Sequence, residues 1–152
     1  MGEPVRRWRV TRLHHVAFAH WREDTPRRLA ALLGLPCVAE EHAEGFVERM
    51  LPAGDSYVQL LEATGPGVVG RFLQSRGPGL HHIGLEVSDV DAAVADLIGR
   101  GVRMVDQMPR RGALGTTIAF VHPAASGGLL LELVGPPPAG VPVDEDQIAG
   151  RS

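Results

Sequence analysis

The sequence contains no lysine, a single cysteine and few aromatic side chains (4 Phe, 2 Trp and 1 Tyr) among its 152 residues. Without a lysine amine, Schiff-base chemistry is excluded. One cysteine, Cys37, excludes an intramolecular disulfide and a cysteine-based zinc cage, and we expect it to be a small buried hydrophobe. No apolar run approaches the roughly 20 residues that a membrane helix needs. The Arg-rich N-terminal residues also lack the apolar core of a secretory signal, so we expect a soluble cytoplasmic protein with no membrane partner.

The sequence also lacks a surplus of positive charge, because 15 arginines and 18 acidic residues give a formal net charge of -3. A chain with no basic surplus is not expected to bind nucleic acid. Hydrophobic residues make up 44% of the sequence and charged residues 22%. That composition is typical of a globular chain, which at this length forms one compact domain or two very small modules with a common core.

An internal repeat is present in the sequence. The segment Leu-His-His-Val-Ala-Phe at 13–18 returns 67 residues later as Leu-His-His-Ile-Gly-Leu at 80–85. A second pair of apolar segments also matches, at 57–62 and 129–134. The repeat predicts an N-terminal extension at 1–12, a first module with a linking helix at 13–76, a second module at 77–135, and a flexible Pro-rich tail at 136–152.

Each module has a hydrophobic pattern typical of a β-α-β-β-β unit. In the second module we predict strands at 80–87, 102–105, 116–121 and 129–134, and a helix from a Ser88 cap to Gly99. In the first we predict strands at 13–19, 38–40, 45–51 and 56–62, and helices at 26–33 and 68–76. Modules this short bury little apolar surface alone, so we expect them to share one core. The predicted fold is therefore α+β, with a curved, mixed eight-stranded sheet around a metal cleft.

The second histidine of each pair is the better candidate for a metal ligand. Side chains alternate along a strand, so His15 and His82 share a face with small residues, which leave space for an ion, whereas bulky residues on the other face should pack under the helices. Gln59 and Glu132 lie in otherwise apolar strands, where an unpaired polar group is costly. Two imidazoles, an amide and a carboxylate suit Co²⁺, Mn²⁺, Ni²⁺ or Fe²⁺, with Zn²⁺ as a further possibility. Four protein ligands leave positions open for substrate oxygens or water.

The paired modules resemble the vicinal-oxygen-chelate superfamily, which includes glyoxalase I, extradiol dioxygenases and antibiotic-resistance proteins. Within it, the sequence is most similar to the methylmalonyl-CoA epimerases over roughly residues 13–134. The segments that carry this similarity are GFVERMLP at 45–52, YVQLLE at 57–62, GLHHI at 79–83, PRRGALG at 109–115 and HP at 122–123.

This resemblance implies an epimerase of a 2-substituted malonyl-CoA that works as a homodimer. The ligands of the family match His15, Gln59, His82 and Glu132, and its catalytic glutamate matches Glu48, the expected general base. The implied reaction removes the proton at C2, while the metal stabilises the developing enolate charge. For the second acid–base group, Glu132 and an ordered water are alternatives. Arg110 and Arg111 are weaker candidates for contacts to the CoA phosphates or the free carboxylate.

Two other functions remain open from the sequence. The first is another enzyme of the same superfamily, such as a glyoxalase-type lyase or isomerase, although Gln59 favours the epimerase because glyoxalase I usually has glutamate there. The second is a non-catalytic protein that binds a small molecule, against which the complete ligand set argues. Leu114 and Thr116 stand where the epimerases often carry His and Lys, so the contacts to substrate are expected to differ.

Overall fold

The structure, a computed structural model, describes residues 5–22 and 24–137. Within these residues the chain forms eight strands and three α-helices. The strands are β1 (Val10–His20), β2 (Ala39–Ala43), β3 (Phe46–Ala53), β4 (Ser56–Ala63), β5 (Gly79–Val87), β6 (Arg110–Arg111), β7 (Thr117–Val121) and β8 (Leu131–Val134). The helices are α1 (Thr25–Leu33), α2 (Val68–Arg76) and α3 (Val90–Gly99).

The strands form one mixed sheet with the neighbour order β2-β3-β4-β1-β5-β8-β7-β6. The pairs β1–β4 and β5–β8 are parallel. The pairs β2–β3, β3–β4, β6–β7 and β7–β8 are antiparallel. The predicted α+β class with a mixed eight-stranded sheet is therefore confirmed.

The described chain forms two compact units, His15–His82 and residues 5–14 together with 83–137. The domain boundaries predicted from the repeat stay predictions. Strand β1 begins at Val10, inside the predicted N-terminal extension. Residues 1–4 of that extension and residues 138–152 of the predicted tail lie outside the described residues.

In the unit that contains α3, the helix covers an aliphatic core. Val90 and Val94 of α3 pack with Val87 and Leu133 of the sheet, and Trp8 joins this cluster. The indole Nε1 of Trp8 donates a hydrogen bond to Asp96 Oδ2 at 2.9 Å. A residue upstream of the predicted first strand therefore closes the core beneath α3.

Two local predictions for this unit are wrong. Asp89, rather than Ser88, caps α3, because its side chain accepts a hydrogen bond from the Ala92 N–H at 3.0 Å. The strand predicted at 102–105 is reduced to a single bridge between Met104 and Val121. Instead, the short strand β6 pairs with β7 through Arg110 and Arg111.

In the unit His15–His82, helix α2 spans the predicted residues but packs on the unexpected face of the sheet. Ala17 and Ala19 are buried against Val69 and Leu73 of α2. Phe18, on the bulky face that we expected to lie under a helix, is 40% exposed. The small residues that follow His15 along β1 thus leave room for helix α2 on their face of the sheet. Outside this core, Cys37 is exposed, contrary to expectation.

The turn that places β3 requires glycine. Gly45 has φ +84°, and a Cβ there would lie 2.5 Å from the carbonyl oxygen of Pro66. Its own carbonyl oxygen accepts a hydrogen bond from the Thr64 N–H at 2.9 Å. The turn between β2 and β3 is thereby fixed against the end of β4, which sets the register of Glu48.

The other face of the sheet carries a polar network that is buried at Glu62 and exposed at Glu40. Arg49 donates one hydrogen bond to Glu62 at 2.6 Å and another to Glu40 at 2.9 Å. These bonds raise the pKa of Arg49 despite the opposing effect of burial, and the bond from Arg49 lowers the pKa of Glu40. Glu62 therefore points away from Gln59, as its position along β4 predicts.

His20 is buried beside this network, and neither of its ring nitrogens has a hydrogen-bond partner in the described chain. Burial lowers the pKa of His20 below its ordinary value of 6.5, and the nearby Glu62 opposes this effect. Below pH 6.5 the unfolded chain binds a proton that the folded protein excludes. The free energy of unfolding should therefore fall as the pH drops below 6.5. Well above pH 6.5, where His20 is neutral in both states, it should not depend on this residue's protonation.

We expect the free energy of unfolding to fall by up to about 1 kcal/mol more in the wild type than in His20→Phe between pH 7.5 and 5.5. Denaturant unfolding of both proteins at a series of pH values measures this difference. Parallel pH dependences of the two proteins would show that His20 protonates equally well in the folded state.

No helix among the described residues combines the length and the apolar character needed to cross a membrane.

Candidate metal centre

His15 on β1 and His82 on β5 face each other across a short gap. Both side chains are buried, and their Nε2 atoms lie 3.0 Å apart. Two nitrogens that bind one ion at 2.0–2.1 Å are about 3.0 Å apart when the bonds meet at a right angle, and about 3.4 Å apart in a tetrahedron. The observed separation is therefore within the range expected for two nitrogens that bind one ion.

Gln59 supplies an oxygen on the same side of the sheet. It lies on β4 opposite Ala17 of β1, two residues after His15, so its side chain shares the face of His15. Gln59 is 3% exposed, and its Nε2 donates a hydrogen bond to Glu48 at 3.0 Å. The buried Oε1 has no hydrogen-bond partner in the described residues. An orphaned buried acceptor is costly, so this oxygen fits a cation better than an empty protein interior.

Glu132 is placed by the pairing of β8 with β5. It lies opposite Gly84, two residues after His82, and therefore shares the face of His82. Its side chain is 5% exposed in the middle of an apolar strand.

The donor set has the chemistry of a divalent metal site. Imidazole nitrogens with carboxylate and amide oxygens suit borderline ions of the first transition row. The buried carboxylate and the orphaned amide oxygen are both groups that a cation would stabilise. The structure places all four predicted ligands in buried positions with suitable donor types, and their ligation of a metal stays a prediction.

Glu48 lies next to Gln59 on β3. It shares a face with Phe46 and Met50, and Met50 is paired directly with Gln59. The Glu48 side chain is half-buried, and Oε2 accepts the hydrogen bond from Gln59 Nε2. Glu48 and Gln59 therefore lie on the same face of the sheet, and the role of Glu48 as a base stays a prediction.

Arg110 and Arg111 lie on the exposed strand β6. Arg110 Nε donates to Asp106 at 2.9 Å, and its guanidinium carbon lies 5.5 Å from the ring centre of Phe120. The neighbouring Leu114 has φ +58°, an uncommon conformation for a branched side chain. Thr116 is buried and donates to the Ala113 carbonyl at 2.7 Å. The described contacts of Arg110 and Thr116 are thus structural, whereas a substrate contact by either arginine stays a prediction.

Sequence reasoning missed one interaction at the centre. His81 Nδ1 lies 2.8 Å from His82 Nδ1, and the His81 ring packs 4.8 Å from that of Phe72 in α2. The repeated His-His pair was a signal for this contact, but strict alternation along the strand assigns the two rings to opposite faces.

Comparison with known proteins identifies the family. The profile of the Glyoxalase/Bleomycin resistance protein/Dioxygenase superfamily matches residues 14–120. That match spans well over half of the chain, and the chain therefore belongs to this superfamily.

Within the superfamily, the similar proteins include methylmalonyl-CoA epimerases. The mitochondrial enzyme of Bos taurus is 31% identical over 133 residues, which cover 83% of this chain and 75% of that protein. An ethylmalonyl-CoA/methylmalonyl-CoA epimerase of Cereibacter sphaeroides is 31% identical and covers 82% of this chain and 97% of its own length. The solved structure of a Streptomyces coelicolor methylmalonyl-CoA epimerase variant in complex with 2-nitronate-propionyl-CoA is 38% identical, with a TM-score of 0.80. The match covers 88% of this chain and 100% of that one. The resemblance inferred from sequence motifs is confirmed.

Proposed function

We propose that this protein is an isomerase that epimerises a 2-substituted malonyl-CoA, with methylmalonyl-CoA as the expected substrate. The observation that carries the proposal is the arrangement around Gln59, which lies on the same sheet face as His15. Its buried Oε1 has no hydrogen-bond partner among the described residues, and its Nε2 donates a hydrogen bond to Glu48. The similarity to epimerases supports the same assignment.

His15, Gln59, His82 and Glu132 would hold a divalent ion, for which Co²⁺, Mn²⁺, Ni²⁺, Fe²⁺ and Zn²⁺ are the candidates. Such an ion, when bound, would supply Lewis-acid stabilisation of the negative charge that develops on the substrate.

Glu48 would act as the general base that takes the C2 proton. Its carboxylate lies in a half-buried position and is oriented by the Gln59 amide, so little reorganisation is needed before the proton moves. An amide is well suited to this double role, because one end donates to the base while the other presents an acceptor. A glutamate at position 59 would lack that donor and would repel Glu48 when ionised.

The remaining contacts belong to the same proposal. Arg110 and Arg111 would meet the phosphates or the free carboxylate of an acyl-CoA, since guanidinium groups pair with both. We further propose that the protein acts as a homodimer in the cytoplasm.

Incubation of the metal-analysed protein with either epimer of methylmalonyl-CoA in D₂O tests the function. We expect both epimers to converge on one mixture and the C2 position to gain deuterium, because removal and return of that proton are the reaction. Mass spectrometry and chiral analysis of the acyl group measure the two outcomes.

Two results would contradict the proposal. A protein that contains metal but leaves the C2 proton unexchanged would exclude this reaction and favour another enzyme of the superfamily. A protein that binds the thioester without metal and without turnover would instead favour a small-molecule binding function.

A further inference from the structure

His81 contacts one of the proposed ligands without being a ligand itself. Its Nδ1 lies 2.8 Å from the Nδ1 of His82, which is hydrogen-bonding distance for two ring nitrogens. A single proton must lie between these atoms, because two lone pairs or two protons facing each other at this distance would repel.

The other nitrogen of His82 decides where that proton belongs. His82 Nε2 lies 3.0 Å from His15 Nε2, so one proton can lie between them in the metal-free protein, and an ion at the proposed position would replace that proton. A ligand nitrogen must present its lone pair, so a neutral His82 that binds metal through Nε2 carries its proton on Nδ1. His82 then donates to His81, which accepts through Nδ1 and carries its own proton on Nε2.

The surroundings hold His81 in the accepting position. Its ring packs against Phe72 of α2 at 4.8 Å between centroids and meets the His82 ring nearly edge-on at 5.1 Å. Helix α2 is itself anchored through Val69 and Leu73 in the core of its unit. The acceptor is thus supported by the fold rather than by a flexible surface side chain.

We propose that His81 is a positioning residue that selects the Nδ1-protonated tautomer of His82 and so prepares Nε2 to bind the metal. The inference rests on the metal site of the proposed function. It assigns a role to the first histidine of the second His-His pair. Loss of an outer hydrogen-bond partner of a metal-bound histidine typically lowers metal affinity 10- to 100-fold.

Three variants separate the hydrogen bond from ring packing. His81→Phe keeps an aromatic ring near Phe72 and removes the acceptor. His81→Asn restores an acceptor, because its Oδ1 lies close to the position of the imidazole Nδ1. His42→Phe, at an exposed site on β2, is the control for loss of an imidazole elsewhere.

Titration of the metal-free proteins with Co²⁺ alone is the first measurement. We expect His81→Phe to bind Co²⁺ about 10- to 100-fold more weakly than the wild type, His81→Asn to recover most of the affinity, and His42→Phe to match the wild type. Equal affinity of His81→Phe and the wild type would overturn the proposal. Equal losses in His81→Phe and His81→Asn would also overturn it, since they would assign the effect to shape.

Nitrogen-15 NMR of the imidazoles in the wild type loaded with diamagnetic Zn²⁺ is the second measurement and does not depend on turnover. We expect a protonated Nδ1 on His82 and an unprotonated Nδ1 on His81, and the reverse assignment would overturn the proposal. A wild type that binds no Co²⁺ would overturn both this inference and the metal site. A wild type that binds Co²⁺ with the expected tautomers but does not epimerise would remove only the proposed reaction.

Discussion

Replacing Glu48 by glutamine is expected to lower turnover of methylmalonyl-CoA by roughly 10²- to 10⁴-fold, the usual contribution of a positioned general base. Glutamine has nearly the same shape as glutamate, and its amide oxygen can still accept the hydrogen bond from Gln59. It cannot take a proton from carbon at neutral pH. Turnover of both epimers and exchange of the C2 proton with D₂O should fall together, whereas metal content and the melting temperature should change little.

Glu44→Gln provides the matched control for this experiment. Glu44 lies exposed in the turn between β2 and β3, so its replacement removes the same charge away from the candidate site. The control should keep wild-type turnover. If Glu48→Gln exchanges the C2 proton of both epimers as fast as the wild type, the base lies elsewhere.

Removing divalent metal with a chelator is expected to reduce epimerisation to the background rate and to lower the melting temperature. An ion that binds only the folded protein stabilises it by about 2.7 kcal/mol when its concentration is one hundred times the dissociation constant. Without the ion, the buried Oε1 of Gln59 would have no partner among the described residues, and Glu132, a proposed ligand, would lose its counter-charge. Activity assays, calorimetry and metal analysis before and after addition of Co²⁺ measure these effects.

His15→Ala removes one proposed ligand and should therefore lose epimerase activity, as the chelated wild type does. We also expect this variant no longer to retain stoichiometric Co²⁺ after gel filtration. His42→Ala, which removes an exposed imidazole from the same unit, should retain the ion and the activity. A thoroughly chelated wild type that still turns over at its original rate would show that the reaction proceeds without metal.

The features of the candidate centre that could be predicted from sequence are those that depend on the period of a strand. A repeated His-His pair and polar residues inside apolar strands suffice to select one face of each strand, and His15 and His82 do meet through their Nε2 atoms. Helix α2 was also predictable, because Pro66 and glycines at 65 and 67 precede it and Gly77 ends it.

Features that depend on long-range packing were not predictable. The segment 102–105 has the composition of a strand, but its pairing with β7 is limited to one bridge at Met104. The charged pair Arg110–Arg111 forms the strand that pairs with β7 instead. Similarly, the alanines after His15 indicate space on that face, yet a strand pattern does not reveal that α2 fills it. Local propensity was overridden in these cases by contacts between distant parts of the chain.

The Arg49 network on the other face of the sheet has a consequence for how this protein tolerates sequence change. Arg49 follows Glu48 directly, so the residue next to the proposed base is tied down by two carboxylates on the opposite side of β3. Substitution of Glu40 or Glu62 would remove a hydrogen bond to Arg49 and so weaken the support of β3, which carries the proposed base, without altering any group near the substrate. Natural selection on the reaction would therefore also restrict residues behind the sheet, and inactivating substitutions in a random library should recur at positions that no ligand reaches.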